Sequence, residues 1–280
     1  MIPKILHLYW GRNKKLSYMK YLTALSFSYH NPEWKINVYY PTIPSKGNDT
    51  WNSGEQKSYS YQDKDYFDKL EDINRLELIS FDFSQFKLPD NISEVHRSDI
   101  LRLYKLSTDG GLWSDFDIFY TKPVDVLINN SSESETYICY HNNYHSIGFL
   151  LASENNSFFA KLLELAKELI NIHNSDYQII GRDLYGAFFK YEPQDIQIAY
   201  KTFETNVFNL PFESVYPFKW NEIDKIFGNK KYELNKNTVG IHWFAGASRT
   251  SLIENIISDK NLKEYSNLYL IDLMQRFIDK

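Results

Sequence analysis

Cysteine is nearly absent: the 280-residue chain carries one, Cys139. A single thiol excludes an intrachain disulfide framework and any zinc site built on cysteines. Cys139 lies in the apolar stretch Tyr137–Tyr140 and reads as a small buried residue. Long apolar runs are missing too, and none approaches the roughly 18 residues of a membrane span. The opening Met1-Ile2-Pro3-Lys4-Ile5 has neither the positive flank nor the apolar core of a secretory signal. The sequence therefore predicts a protein of the reducing cytoplasm. Basic runs and acidic tails are also lacking, and the formal net charge is only −5. That balance excludes a basic patch as the basis of function and argues against a nucleic-acid partner. A Gly-x-x-x-x-Gly-Lys phosphate loop is absent, which weakens a nucleotidyl- or phosphotransferase reading.

Aromatic residues are plentiful at 17%, with 22 tyrosines. Aromatic faces suit sugar rings, but a chain-wide bias toward Tyr, Asn, Lys and Ile accounts for the count equally well.

Hydrophobic periodicity predicts an α/β domain. Residues 5–10 read as a buried strand opening into Gly11-Arg12-Asn13. A helix follows over residues 17–29 and stops near Asn31-Pro32. Residues 34–40 alternate, with Trp34, Ile36 and Val38 on one face. Residues 41–62 form a polar loop, and 76–83 a further strand. This rhythm implies a largely parallel sheet. Residues 94–107 place Ile100, Leu103, Tyr104 and Leu106 at helical spacing, and Asp109-Gly110-Gly111 stops that helix. One strand is expected over residues 112–120, a helix over 158–172, a late strand over 239–244 and a terminal helix over 262–278. The terminal helix has an apolar stripe that packs on the domain or makes a peripheral membrane contact. Without repeats or a linker, residues 1–280 read as one domain. Residues 1–125 would form its nucleotide-binding half, and 126–280 an acceptor-side half with a C-terminal closing segment.

The chemistry concentrates in one stretch. On a strand, Asp115 and Asp117 would project to the same side. Two carboxylates that close repel, and a divalent cation relieves the conflict. Mn²⁺ or Mg²⁺ held this way suits a diphosphate ligand at a strand end. Asp-X-Asp alone also fits two solvated surface acids. Asp99 and Arg102, three apart, share a face of the helix that feeds into this strand.

His96-Arg97-Ser98-Asp99-Ile100-Leu101-Arg102, followed by Gly110-Gly111-Leu112-Trp113-Ser114-Asp115-Phe116-Asp117, resembles the glycosyltransferase family 32-like enzymes. The glucosylating domain of the large clostridial toxins is similar to them in its core. The opening Ile2-Pro3-Lys4-Ile5-Leu6-His7-Leu8-Tyr9-Trp10-Gly11 and the late Ile241-His242-Trp243-Phe244-Ala245-Gly246-Ala247-Ser248 resemble the same family, so the matches spread over residues 2–248. The resemblance implies a GT-A fold, a Rossmann-like sheet that binds nucleotide sugars. It implies that Asp117 ligates the metal and that Asp115 meets donor hydroxyls, with a share in the metal through water. Asp99 and Arg102 would grip the transferred sugar, Ser98 would sit near the ribose, and Trp10 would stack on the base. His242 is an added candidate ligand, while Trp243, Ser248 and Arg249 are candidates for a loop closing over the diphosphate. This chain departs from the family's His-His-Trp-Ala-Gly-Ser-Trp there, with Ile241 for the first His and an inserted Phe244. Asn143 and Asp183 fall in regions that approach the acceptor in related enzymes. Tyr216-Pro217 and Trp220 resemble a structural segment.

The implied activity is transfer of a hexose from a nucleotide sugar, a UDP-sugar by analogy through Trp10, to a glycan or lipid-linked glycan. Anomeric configuration would be retained by front-face substitution. The alternatives are a degenerate module that only binds sugar or nucleotide, and a toxin-like effector glycosylating a protein.

Overall fold

A computed structural model describes residues 1–46, 61–128, 133–141, 144–172, 179–181, 183–185 and 205–280. Strand β1 (Ile5–Tyr9) has both faces covered, as its near-continuous apolar run requires. Leu6 and Leu8 enter one core, and Tyr9 enters the other. Strands β2 (Lys35–Pro41) and β4 (Gly111–Ser114) flank β1 in parallel, and β3 (Leu76–Phe81) extends the parallel side beyond β2. Strand β6 (Glu135–His141) pairs antiparallel with β7 (Tyr144–Ala152), which in turn pairs antiparallel with β4. Strand β8 (Asn206–Asn209) completes the sheet parallel to β6. The order is β3-β2-β1-β4-β7-β6-β8, and only β7 opposes the rest. The chain thus adopts the expected α/β class, a mostly parallel central sheet with added helices.

Helix α1 (Tyr18–His30) covers one face with Met19, Leu22 and Phe27. Helices α2 (Glu94–Thr108) and α3 (Ser157–Ile172) cover the other with Ile100, Leu103, Phe158 and Leu162. Each such side chain removed from water contributes about 1.5–3 kcal/mol. Serines start both α1 and α2: Ser17 Oγ accepts from the Lys20 N–H and Ser93 Oγ from the His96 N–H, each at 3.2 Å.

The single strand expected over residues 112–120 is two strands in two sheets. β4 ends at Ser114, and β5 (Ile118–Tyr120) pairs instead with β9 (Gly240–His242). The cause is tertiary. The Asp115 N–H makes a last bond to Gly148 O at 2.8 Å. Phe116 then turns into the core, edge-on to Trp10, and Thr23 Oγ1 of α1 donates to Phe116 O at 2.8 Å. Asp115 and Asp117 therefore occupy a turn, and strand alternation is not what brings them together.

Other expectations shift at their edges. The late strand stops at His242 because Phe244 adopts a left-handed φ of 53°. A helix, α4 (Ser248–Ile256), stands where a closing loop was expected. The terminal helix divides into a 3-10 turn, Leu262–Tyr265, and α5 (Tyr269–Ile278). Tyr269, Leu270, Ile271 and Met274 of α5 are buried against the α1-side core. Most of the expected 41–62 loop, residues 47–60, lies outside the described residues.

The Gly110-Gly111 stop is confirmed with its reason. Their φ values are 64° and 87°, in the region where only glycine is unstrained. Buried His7 donates from Nε2 to Gly110 O at 2.8 Å and so ties this turn to β1. Burial lowers the His7 pKa to about 4 and keeps the ring neutral. A Cβ on Gly110 would stand 2.5 Å from Glu154 N, a backbone atom. Gly110→Ala is therefore expected to cost more than the ~1 kcal/mol of left-handed strain alone. The check is a lower urea midpoint at unchanged m-value.

Candidate functional site

Helix α2 delivers a buried row of polar side chains to the end of β4: Ser98, Asp99 and Arg102, each 5% exposed or less. Arg102 is a bridge. Its Nη1 lies 3.0 Å from Asp99 Oδ1, and its Nη2 donates to Asp115 Oδ1 at 3.0 Å. Its guanidinium also rests over the Trp113 ring, 5.1 Å from the centroid, while Trp113 Nε1 donates to the same Asp115 oxygen at 3.1 Å. Burial opposes the Arg102 charge, but Asp115 and Asp99 outweigh it and hold the group firmly cationic. Asp99 ends up on the other side of that balance. Burial pushes its carboxyl up to about 7, Arg102 pulls it down, and Asp115 adds to the rise.

Asp117 is satisfied from a different element. Its backbone carbonyl accepts from the Trp243 N–H at 2.9 Å, and its Oδ2 accepts from the Ala245 N–H at 2.9 Å. His242 Nε2 stands 3.1 Å from Oδ1, off the line of a hydrogen bond, so Oδ1 is buried with no hydrogen-bond partner. Burial pushes the Asp117 carboxyl up. The adjacent His242, the Ala245 N–H and Lys20 outweigh burial and hold it below the ordinary carboxylate value. Ligand atoms of Asp115, Asp117 and His242 all lie within 4.8 Å of one another. Two carboxylates and an imidazole, with one buried oxygen unbonded, fit a divalent cation of the Mn²⁺ or Mg²⁺ kind.

Several residues that sequence reasoning passed over shape this cluster. Gly148 of β7 leaves the room that Asp115 occupies, since a Cβ there would meet Asp115 Oδ2 at 2.7 Å. Tyr216, read as structural, is buried with its ring 4.9 Å from that of His242. Its hydroxyl is held well above the ordinary value by burial first, with Cys139, Asp115 and Asp117 adding to the rise. Tyr185 is buried near Arg102 and Asp99, its hydroxyl without a hydrogen-bond partner. Lys20 pairs with Glu254 of α4, which also accepts from Ser17 Oγ, and its ammonium lies over both the Trp10 and Trp243 rings, at 5.5 and 5.2 Å. No local signal marks these positions, because each acts through a contact distant in sequence.

The remaining expected residues scatter. Trp10 is buried, with Nε1 donating to Lys14 O at 2.9 Å and its ring beneath Phe116. Trp243 is fully buried, and its indole N–H has no hydrogen-bond partner. Ser248 opens α4, and Arg249 is exposed and paired with Asp224. Asp183 is partly buried, two residues before Tyr185. Asn143 lies outside the described residues.

A family model described as capsular polysaccharide synthesis protein matches residues 70–243, a span that contains Asp99, Arg102, Asp115, Asp117 and His242. Among solved structures, the chain is similar to the PaToxG glycosyltransferase at 20% identity and TM-score 0.49, covering 72% of this chain and 74% of that one. It is similar to the glycosyltransferase GlyE of Streptococcus pneumoniae TIGR4 at 13% identity and TM-score 0.46, covering 96% of this chain and 65% of GlyE. A galactosyltransferase LgtC, solved with donor and acceptor sugar analogues, is similar at 12% identity and TM-score 0.38, with 93% and 99% covered. No curated protein matches the chain.

The raised Asp99 carboxyl has a consequence for stability. Between the unfolded value, roughly 4, and about 7, the folded state binds more protons than the unfolded one. Stability from this group is therefore full below pH 4 and is lost as pH rises through 7. Asp99→Asn is expected to flatten that decline by a few kcal/mol, on the order of 1.4 kcal/mol per pH unit. Urea unfolding of both proteins at pH 4, 6 and 8 checks it; parallel pH profiles would contradict the assignment.

Proposed function

The chain belongs to the capsular polysaccharide synthesis protein family, and from that premise we propose that it is a metal-dependent glycosyltransferase of the GT-A type. In this reading it moves a hexose from a nucleotide sugar, a UDP-sugar, to a hydroxyl of a glycan or lipid-linked glycan, with retention. The carrying observation is the Asp115, Asp117 and His242 cluster with its unbonded, buried Asp117 oxygen. It adjoins the Asp99–Arg102–Asp115 chain, whose first two members are buried.

The roles follow from the contacts. Asp117 and His242 would hold Mn²⁺ or Mg²⁺. Asp115 would take a share in the ion through water, with its other duty the donor hydroxyls. A bound cation supplies Lewis-acid stabilisation for charge growing on the departing diphosphate. Arg102, fixed between two carboxylates, holds Asp99 and Asp115 in register so that both can accept from sugar hydroxyls. Ser98 on the same helix would meet the ribose. Trp243, Ser248 and Arg249 are proposed to approach the diphosphate; of the three, Trp243 touches the cluster, through its N–H on Asp117 O. Trp10 supports the turn from below and would reach the base only at its edge. Asp183 is proposed on the acceptor side.

Retention is proposed through front-face substitution, because Asp99, Asp115 and Asp117 are each engaged by Arg102, Ala245 or His242. Among the described residues, no helix is long and apolar enough to cross a membrane. A cytoplasmic site of action, where nucleotide sugars are the donors, completes the proposal.

The test is nucleotide release from a panel of UDP- and GDP-hexoses with Mn²⁺. At least one donor is expected to turn over, with EDTA abolishing release. Asp117→Asn should lower turnover by at least about 10³-fold, several kcal/mol of charge stabilisation being lost. Gly148→Ala should weaken Mn²⁺ binding, followed as free Mn²⁺ by electron paramagnetic resonance. Turnover of no donor, or undiminished turnover in Asp117→Asn, sinks the reading.

A further inference from the structure

Phe244 is a bulky residue in the left-handed region, at φ 53°. That conformation is strained outside glycine and persists only where the surroundings impose it. Part of the cause is the site: the turn aims the Ala245 N–H at Asp117 Oδ2 and the Phe244 N–H at His242 Nδ1, at 2.9 and 3.3 Å. A glycine would make the same turn without strain, so the ring itself needs a use.

The ring links His242 of the cluster to Trp220. It packs edge-on to His242 at 4.5 Å and edge-on to Trp220 at 5.5 Å. Trp220 is 42% exposed. Its backbone is pinned in a 3-10 turn, where the Lys219 N–H donates to Glu222 Oε2 at 3.0 Å and Lys225 pairs with Glu222. A large indole is thus presented to water on a rigid base, two ring-to-ring steps from His242. Charged residues of both signs neighbour it along the chain, Lys219, Glu222 and Lys225.

A flat apolar face rimmed by donors and acceptors matches one ligand chemistry well. A hexopyranose has an apolar C–H face that lies on an indole and equatorial hydroxyls that reach charged groups around its edge. A lipid surface would find no apolar neighbour of Trp220 in the Lys219-Trp220-Asn221-Glu222 stretch.

We propose that Trp220 and Phe244 form an aromatic subsite that holds a hexopyranose unit of the acceptor beside the metal cluster. The proposal rests on the transferase reading above and names the acceptor side of that site as glycan-binding. Phe244 serves twice: its left-handed turn aims the Ala245 N–H at Asp117, and its ring backs Trp220.

Binding of lactose, maltose and cellobiose to the full chain, titrated calorimetrically with UDP and Mg²⁺ present, tests the subsite. At least one disaccharide is expected to bind. Trp220→Ala should weaken it about tenfold, or about 1.4 kcal/mol, and Trp220→Tyr should retain most of the affinity. An unchanged melting midpoint in Trp220→Ala separates lost stacking from lost folding. A wild-type chain that binds neither UDP nor Mg²⁺ sinks the transferase reading, and this subsite with it. A chain that binds UDP but no disaccharide, or binds disaccharide equally with Ala at 220, sinks the subsite alone. So does binding to phosphatidylglycerol vesicles that disappears in Trp220→Ala, which would make the ring a membrane contact.

Discussion

Two like charges stand side by side at a partly buried corner, and the layout of the chain around them answers that constraint. Asp115 and Asp117 cannot both be buried on the same partner, since an uncompensated buried carboxylate costs several kcal/mol. Each is therefore met from a different direction. Arg102 and Trp113 take Asp115, while the Ala245 N–H and His242 take Asp117. Asp117 Oδ1 stays buried without a hydrogen bond, 3.1 Å from His242 Nε2.

The chain path follows from this division. Arg102 reaches Asp115 only because α2 runs back over β4 through the left-handed Gly110-Gly111 stop. Asp117 meets β9 only because the strand breaks after Ser114 and enters a second sheet. Helix α1 stabilises that break, with Thr23 bonding Phe116 O and Ser26 Oγ accepting from the Tyr120 N–H at 3.1 Å. The C-terminal side is anchored in turn. Glu254 of α4 is bound to Lys20 and Ser17 at the start of α1, and Lys20 is sandwiched by Trp10 and Trp243. The same helix thus steadies both the Asp115–Asp117 turn and the segment that faces it.

Polar burial of this extent is expensive as architecture and useful as preorganisation. Asp99, Arg102 and Asp115 form a charge-alternating chain whose geometry is set before any ligand arrives, which lowers the reorganisation a bound sugar would demand. The strained turn at Phe244 belongs to the same economy of position, since it aims the Ala245 N–H at Asp117 and carries a ring that links His242 to exposed Trp220.

Local pattern was enough for the periodic elements. The apolar spacing of residues 94–107, the serines before α1 and α2 and the two glycines after α2 all carry their signal within one or two turns of chain, so α1, α2, α3 and the first three strands were legible. The Asp-X-Asp stretch and the Asp99, Arg102 pair were legible as residues. How they meet was not. Strand alternation predicted the right neighbours for the wrong reason, because periodicity cannot say that a chain leaves one sheet for another. Gly148, Tyr216, Lys20 and Glu254 were invisible for a related cause. Their effects depend on contacts with partners 26 to 237 residues away, and no local window contains both ends. The sequence by itself determined which side chains could hold charge and where helices begin and stop, since those depend on covalent neighbours. Only the tertiary structure decided which charges share a dry volume, because desolvation and Coulomb attraction depend on distance in space.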